Sequence, residues 1–262
     1  MSISQVGCYD SVVIHLPRCV HPGDKRMRHH NKSNIRLFLE SFVPELPSAI
    51  SPTQAHYLLH VMRLRHGYFI KVFNCSNGEF YARLEQRKDG VFVIPTECIR
   101  PSESPNPPTW LAFSPIKPHL THFIIEKATE LGVSDMQLFF SDFTQIREVN
   151  VPKLRAIAIE ASEQCERLSI PCIREPLKLS SFLENLPNVH WFAAVERNEN
   201  AVPIYALVEP AGIIIGPEGG FSEHEKFILS SHTQTVSLGA NILRSETAAI
   251  CALSRLRNIV HW

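Results

Sequence analysis

The 262-residue sequence carries no net charge, since twenty-six Lys and Arg balance twenty-six Asp and Glu. A bulk electrostatic footprint for a polyanion is therefore missing, and any nucleic-acid contact has to be a local patch. Long apolar runs are missing too. Stretches such as 211–215 and 248–253 fall far short of the about 20 apolar residues that cross a bilayer, so a soluble chain with no membrane partner is expected. Near the start, Val12-Val13-Ile14 is interrupted by Asp10, His15 and Arg18 with no small-residue cleavage pattern after it, which argues against a secretory signal. None of the seven cysteines lies in C-x-x-C spacing, and their odd number opposes a disulfide framework. Reduced thiols in a cytoplasmic protein fit best. No period of roughly 20 to 50 residues recurs, which sets repeat architectures aside.

What is present divides by its punctuation. Residues 1–34 read as a polar, Pro-containing extension ending in the basic run Lys25-Arg26-Met27-Arg28-His29-His30. The proline-rich run 101–108 has the composition of a linker, because proline lacks the backbone donor and resists helix. Between them, residues 35–100 offer a strand at 35–39 and a helix opened by Ser51-Pro52 that buries Ala55, Leu58, Leu59 and Met62. Strands follow at 69–73, 79–84 and 91–94, the first two around the turn Ser76-Asn77-Gly78. A small, mostly β barrel is the expected assembly. Over residues 109–262, strand-like runs at 110–113, 136–140, 190–195, 212–215 and 235–238 alternate with helical segments, among them 119–131 and 153–167. That alternation is the pattern of an α/β domain with a largely parallel sheet.

The chemistry-bearing residues concentrate near the end. Ile213-Ile214-Ile215 runs into Gly216-Pro217-Glu218-Gly219-Gly220-Phe221, and Ser222 with Glu225 makes a capping box for a helix behind it. Glycines at the C-terminal edge of a parallel strand let backbone approach a ligand closely. Taken alone, such a loop is more often a tight turn. A second strand, glycine turn and helix follow within thirty residues, through Val236-Ser237-Leu238-Gly239-Ala240-Asn241-Ile242-Leu243-Arg244-Ser245-Glu246-Thr247. Arg244 and Glu246 stand in the opening turn of that helix, where a surface ion pair and cap is the plain alternative. Neither loop has the Lys-Ser/Thr of a P-loop or G-x-G-x-x-G spacing.

Other groups are read more simply. His56 with His60 and His119 with His122 lack a third ligand, so no metal is expected. Phe139, Phe140 and Phe143 are taken as core filler beside a strand end. Arg63, Arg65, His66 and Lys71 cluster around a turn, with Arg83, Arg87 and Lys88 beyond; a solvated face is the commoner meaning of such a run.

Together, I-G-P-E-G-G-F-S and S-L-G-x-x-I-L-R-x-E-T-A resemble the signature of the RsmE family in the SPOUT superfamily. The likeness extends to Ile125-Glu126-Lys127-Ala128-Thr129-Glu130-Leu131-Gly132-Val133, to Ile159-Glu160-Ala161-Ser162-Glu163-Gln164 and to Arg36-Leu37-Phe38-Leu39, covering the chain from about residue 35 in family order. The resemblance implies an N-terminal PUA-like RNA-binding barrel and a C-terminal SPOUT methyltransferase domain with a trefoil knot. It further implies S-adenosylmethionine as cofactor, a homodimer, and methylation of uridine N3 in 16S ribosomal RNA, as naked RNA or assembled small subunit. By the same resemblance Gly216, Pro217, Glu218, Gly219 and Gly220 wrap the cofactor, and Leu238, Gly239 and Leu243 line its adenine side. Arg244 would stabilise charge developing on the base, and Arg36, Arg63, Arg65, Lys71 and Arg167 would contact RNA. Glu218, Glu246, Glu163 and solvent all stand as proton acceptors. The sequence departs from the family where Ala240-Asn241 follows Gly239, at Lys117-Pro118-His119-Leu120, and at Cys165-Glu166-Arg167.

Overall fold

A computed structural model describes residues 32–104, 107–196, 201–203 and 210–257. The expected extension lies outside these residues except where its last three enter the first strand. Among the described residues twelve strands form two sheets.

The first sheet contains β1 (Lys32–Phe38), β2 (Ser48–Ala49), β3 (Phe69–Asn74), β4 (Gly78–Arg87) and β5 (Gly90–Arg100), in the order β1-β3-β4-β5-β2. β1 pairs parallel with β3, and the remaining pairs are antiparallel. Side chains alternate across the pleat, so Ile70, Val72, Phe80, Ala82, Leu84 and Val93 share one buried face with Leu37 and Leu58. The β3–β4 turn is held by the Asn77 amide donating to Asn74 Oδ1 at 2.7 Å. Gly78 is required there: its φ is +88°, and a Cβ would meet the Arg100 carbonyl oxygen at 2.2 Å. Among the described residues these strands form one ladder that runs from β1 to the two-residue β2.

The helix expected after Ser51 differs in its second half. α1 (Pro52–His56) starts with the anticipated cap, Ser51 and Gln54 bonding each other reciprocally. The chain then widens into a π turn over Tyr57–Val61, where the Met62 amide reaches the Tyr57 carbonyl at 2.9 Å. That widening rotates the apolar face, so Leu58 is buried while Tyr57, Val61 and Met62 are exposed.

The second sheet contains β6 (Thr109–Phe113), β7 (Asp135–Phe140), β8 (Cys172–Lys178), β9 (His190–Ala194), β10 (Val202–Pro203), β11 (Ala211–Ile215) and β12 (Gln234–Ser237). Its order is β10-β12-β9-β11-β6-β7-β8, and every pair is parallel. The flanking helices are α2 (Pro118–Glu130), α3 (Val151–Gln164), α4 (Leu179–Glu184), α5 (Glu223–His232) and α6 (Ser245–Arg257). Alternation explains the layers. Leu111, Phe113, Met136, Leu138, Ile213 and Ile215 pack with α2, α3 and α6, whereas Trp110, Ala112, Phe139, Ala193 and Ile214 pack with α4 and α5. α2 ends where Gly132 adopts φ +78°. α3 ends three residues before the expected boundary, because Glu166 turns the chain with φ +61°.

Candidate functional site

β11 is buried along its whole length and delivers Gly216 to the C-terminal edge of the parallel sheet, where ligands of open α/β sheets sit. The first loop is braced from outside. A Cβ on Gly216 would lie 3.0 Å from the Phe221 ring, and one on Gly219 would lie 3.0 Å from Phe143 Cβ. Gly220 has φ +71°, and its amide donates to the Pro217 carbonyl at 2.9 Å. At the loop's exit the Glu225 carboxylate accepts from the Ser222 amide at 3.0 Å and from the Asp142 amide at 2.9 Å. The Ser222 hydroxyl donates to Asp142 Oδ2 at 2.6 Å. One buried carboxylate thus ties the start of α5 to the loop after β7.

The second loop is open. Gly239 has φ +133° with nothing within 4 Å of a Cβ, and its amide reaches Ser237 Oγ at 3.3 Å. Ala240, Asn241 and Ile242 are exposed. In the first turn of α6, Ser245 and Glu246 are buried, and Glu246 Oε2 has no hydrogen-bond partner among the described residues.

Between the loops lies a cavity of about 630 Å³. Of the expected cofactor residues, Gly216, Pro217, Gly219, Gly220, Leu238, Gly239 and Leu243 line it, and Glu218 does not. The departing pair Ala240-Asn241 is part of the wall. Arg244 sits between the lining residues Leu243 and Ser245, is exposed, and is not itself part of the lining. A third wall was not anticipated: Ala194, Val195 and Glu196 at the end of β9, with Lys226 from α5. Nothing in the local sequence marks that wall, because its position follows from β9 lying between β11 and β12.

The expected RNA contacts separate into two groups. Arg36 is a correction: it is buried, its Nε pairs with Glu79, and its Nη atoms donate to the carbonyls of Ser162 at 2.7 Å, Glu163 at 3.1 Å and Arg167 at 3.2 Å. Its charge satisfies the last carbonyls of α3 and joins the two sheets, so it is not free to meet a phosphate. Arg167 is also committed internally, with Nη1 donating to the carbonyls of Thr129 at 2.7 Å and Val133 at 3.0 Å. Arg63 and Arg65 are exposed beside the π turn, and Lys71 is half-buried on β3. Arg83 and Arg87 both pair with Glu85, whose carboxyl is held below its ordinary range chiefly by the hydrogen bond from Arg87. The His56 and His60 rings stack at 4.9 Å, and no cluster of three metal-ligating side chains occurs among the described residues.

A parallel sheet with two glycine loops around a cavity, attached to a second small sheet, matches the RNA methyltransferases. Residues 102–257 match the RNA methyltransferase domain family and residues 50–96 the RNA methyltransferase PUA domain. The ribosomal RNA small subunit methyltransferase E of Rickettsia conorii is 34% identical over 214 residues, covering 79% of this chain and 87% of the relative. Its counterpart from Synechocystis is 30% identical over 226 residues, covering 82% and 74% respectively. A Legionella pneumophila methyltransferase structure in complex with the bound cofactor SAM superposes with TM-score 0.76 at 30% identity, over 86% of this chain and 97% of that one. The chain belongs to the ribosomal RNA small subunit methyltransferase E family.

Proposed function

We propose that this protein transfers the methyl group of S-adenosylmethionine to N3 of a uridine in 16S ribosomal RNA, as naked RNA or within the small subunit. The observation that carries the reading is the cavity framed by both glycine loops at the C-terminal ends of β9, β11 and β12. Its volume of about 630 Å³ suits a nucleoside-sized ligand. Gly216 and Gly219 line the cavity and are held by Phe221 and Phe143, against which a Cβ at either would press. Leu238 and Leu243 on its wall are apolar, as an adenine requires.

The cofactor supplies an electrophilic methyl group on a sulfonium. For N3 to accept it, the uracil has to lose its N3 proton, and negative charge then spreads onto O2 and O4. Arg244 would stabilise that charge by the logic of an oxyanion hole, a role supported by its exposure between the lining residues Leu243 and Ser245. Of the carboxylates near the motifs, Glu163 is set aside as proton acceptor: it accepts from the Phe38 amide at 2.9 Å, at the junction of the sheets. Glu218, Glu246 and solvent are left for that role.

The rest of the reading follows family membership, with specific support. A trefoil knot fits the insertion of β11 between β9 and β6 and of β12 between β10 and β9. A homodimer fits the exposed apolar side chains of Phe227 on α5 and Ile242 on the second loop. A division into an RNA-binding unit over 35–100, a linker over 101–108 and a methyltransferase unit over 109–262 fits the separate apolar cores. Arg63, Arg65 and Lys71 then remain as phosphate contacts. Cytoplasmic location follows from a ribosomal substrate; no helix among the described residues is long and apolar enough to cross a membrane.

The test mixes the protein with methyl-labelled S-adenosylmethionine and small ribosomal subunits from cells lacking the activity, followed by digestion and mass analysis of nucleosides. Label in N3-methyluridine is expected. Label in a 2′-O-methyl nucleoside would overturn the regiochemistry, and no label without cofactor binding would indicate an RNA-binding factor without catalysis.

A further inference from the structure

Phe143 does not behave as the core filler its sequence context suggests. It follows β7 at the same end of the parallel sheet as the cavity, and 48% of its surface is exposed. Phe139, four residues earlier, is fully buried and stacks on Phe182 and Phe221. An exposed phenyl ring would be unremarkable on a loose loop, but this loop is fixed on both sides of it. On one side, Asp142 is bonded to α5 through both its amide and its carboxylate. On the other, the buried Thr144 Oγ1 accepts from the Ser141 amide at 2.8 Å and lies 2.7 Å from Ser114 Oγ. The ring is therefore presented to solvent by a rigid support. Its Cβ packs against Gly219, and Gly219 lines the cavity. Arg147 is exposed on the same loop, its guanidinium 5.7 Å from the centroid of the Phe140 ring.

A fixed aromatic face with a cation a few residues away is the combination that holds unpaired bases. Stacking is available to every base because each has a π face, and the cation meets the backbone phosphate. We infer that Phe143 is the platform on which a base of the RNA substrate stacks at the mouth of the cavity, with Arg147 placed for the adjoining phosphate. This rests on the reading of the cavity as a site for S-adenosylmethionine-dependent RNA methylation. The occupant is RNA rather than a second copy of the chain because Phe143 packs on Gly219 of the cavity-lining loop and shares its own loop with the exposed cation Arg147.

The experiment compares the full-length wild type with Phe143→Ala, Phe143→Leu and Phe143→Trp. It measures kcat and KM for unmethylated small subunits, S-adenosylmethionine affinity by calorimetry, and association state by sedimentation. Removal of the π face in the Ala and Leu variants is expected to raise KM for the subunits about ten-fold, with cofactor affinity and association state unchanged and with Trp restoring KM. A Leu variant equal to wild type would overturn the proposal, since an apolar contact would then suffice. A change in association state would assign the ring to a subunit interface, and a loss of cofactor affinity would make it a brace for Gly219; either result overturns the proposal as well. Wild-type protein that neither binds the cofactor nor labels subunits would instead sink the parent reading, which is a separate outcome.

Discussion

The two glycine loops share a position at strand ends and little else. The 216–220 loop is crowded: aromatic side chains press on two of its glycines, and the Ser222–Glu225–Asp142 hydrogen bonds clamp its exit. The loop from Ser237 to Arg244 has open space around Gly239, exposed residues at 240–242, and long hydrogen bonds to Ser237. A braced backbone presents its donors at fixed positions without reorganisation, whereas an open one adjusts when substrate arrives. On the proposed reading both loops frame the cofactor cavity, the first as a fixed wall and the second as an adjustable one that also carries Arg244, the residue proposed to meet the acceptor base.

That division can be broken most sharply at Arg244. Arg244→Ala should lower kcat by about 10² to 10³-fold with cofactor affinity unchanged. Equal losses in kcat and cofactor affinity would show that Arg244 is a structural cap of α6 and not a group that acts on the acceptor base. Glu225→Ala should come next, lowering stability by about 2–3 kcal/mol in chemical denaturation and weakening cofactor binding, because a cap is lost and the Ser222 and Asp142 amides lose their acceptor. Unchanged cofactor affinity would mean that the clamp serves only the fold. Gly220→Ala should cost about 1–2 kcal/mol through its left-handed backbone, with the loss visible in thermal unfolding.

The smallest effect is expected outside both loops and sets their baseline. Burial raises the Glu163 carboxyl above its ordinary value of 4.5, against the opposing pull of the Phe38 amide and the Arg36 charge. A carboxyl raised in the folded state contributes stability that is complete below its unfolded pKa and is lost as pH rises through the folded value. Glu163→Gln keeps an oxygen for the Phe38 amide and carries no charge. Its urea midpoint should equal or slightly exceed that of wild type at neutral pH, and the two should converge in acid below 4.5. A less stable variant at neutral pH would show that attraction to Arg36 outweighs burial.

Legibility in the sequence followed the type of cause. Strands with period-two alternation, glycine stops and hydroxyl caps were readable because their physics is local: Ser222 with Glu225, Gly132 and the 216–220 turn all stand where the pattern put them. β8 escaped notice because its burial pattern has no alternation and Pro176 interrupts it. The RNA role given to Arg36 came from resemblance alone, and only the arrival of α3's carboxyl end beside β1 shows that it closes a junction. Phe139 and Phe143 look alike in sequence, and their different fates depend on α4 and the 216–220 loop arriving from elsewhere. The β9 wall of the cavity was hidden for the same reason.

The strand order also bears on how the chain matures as it is synthesised. β11 fills the gap between β9 and β6, and β12 the gap between β10 and β9, so the central ladder is completed by segments that emerge last. Thr109 cannot meet its partner Ala211 until about a hundred intervening residues have been made. During that interval β6 exposes an unpaired edge flanked by apolar side chains, joined near its end by β9, the kind of surface that recruits foreign strands. Nascent chains stalled before residue 211 should therefore be the species most dependent on chaperones, while the small sheet of β1–β5, complete by Arg100, has no such wait.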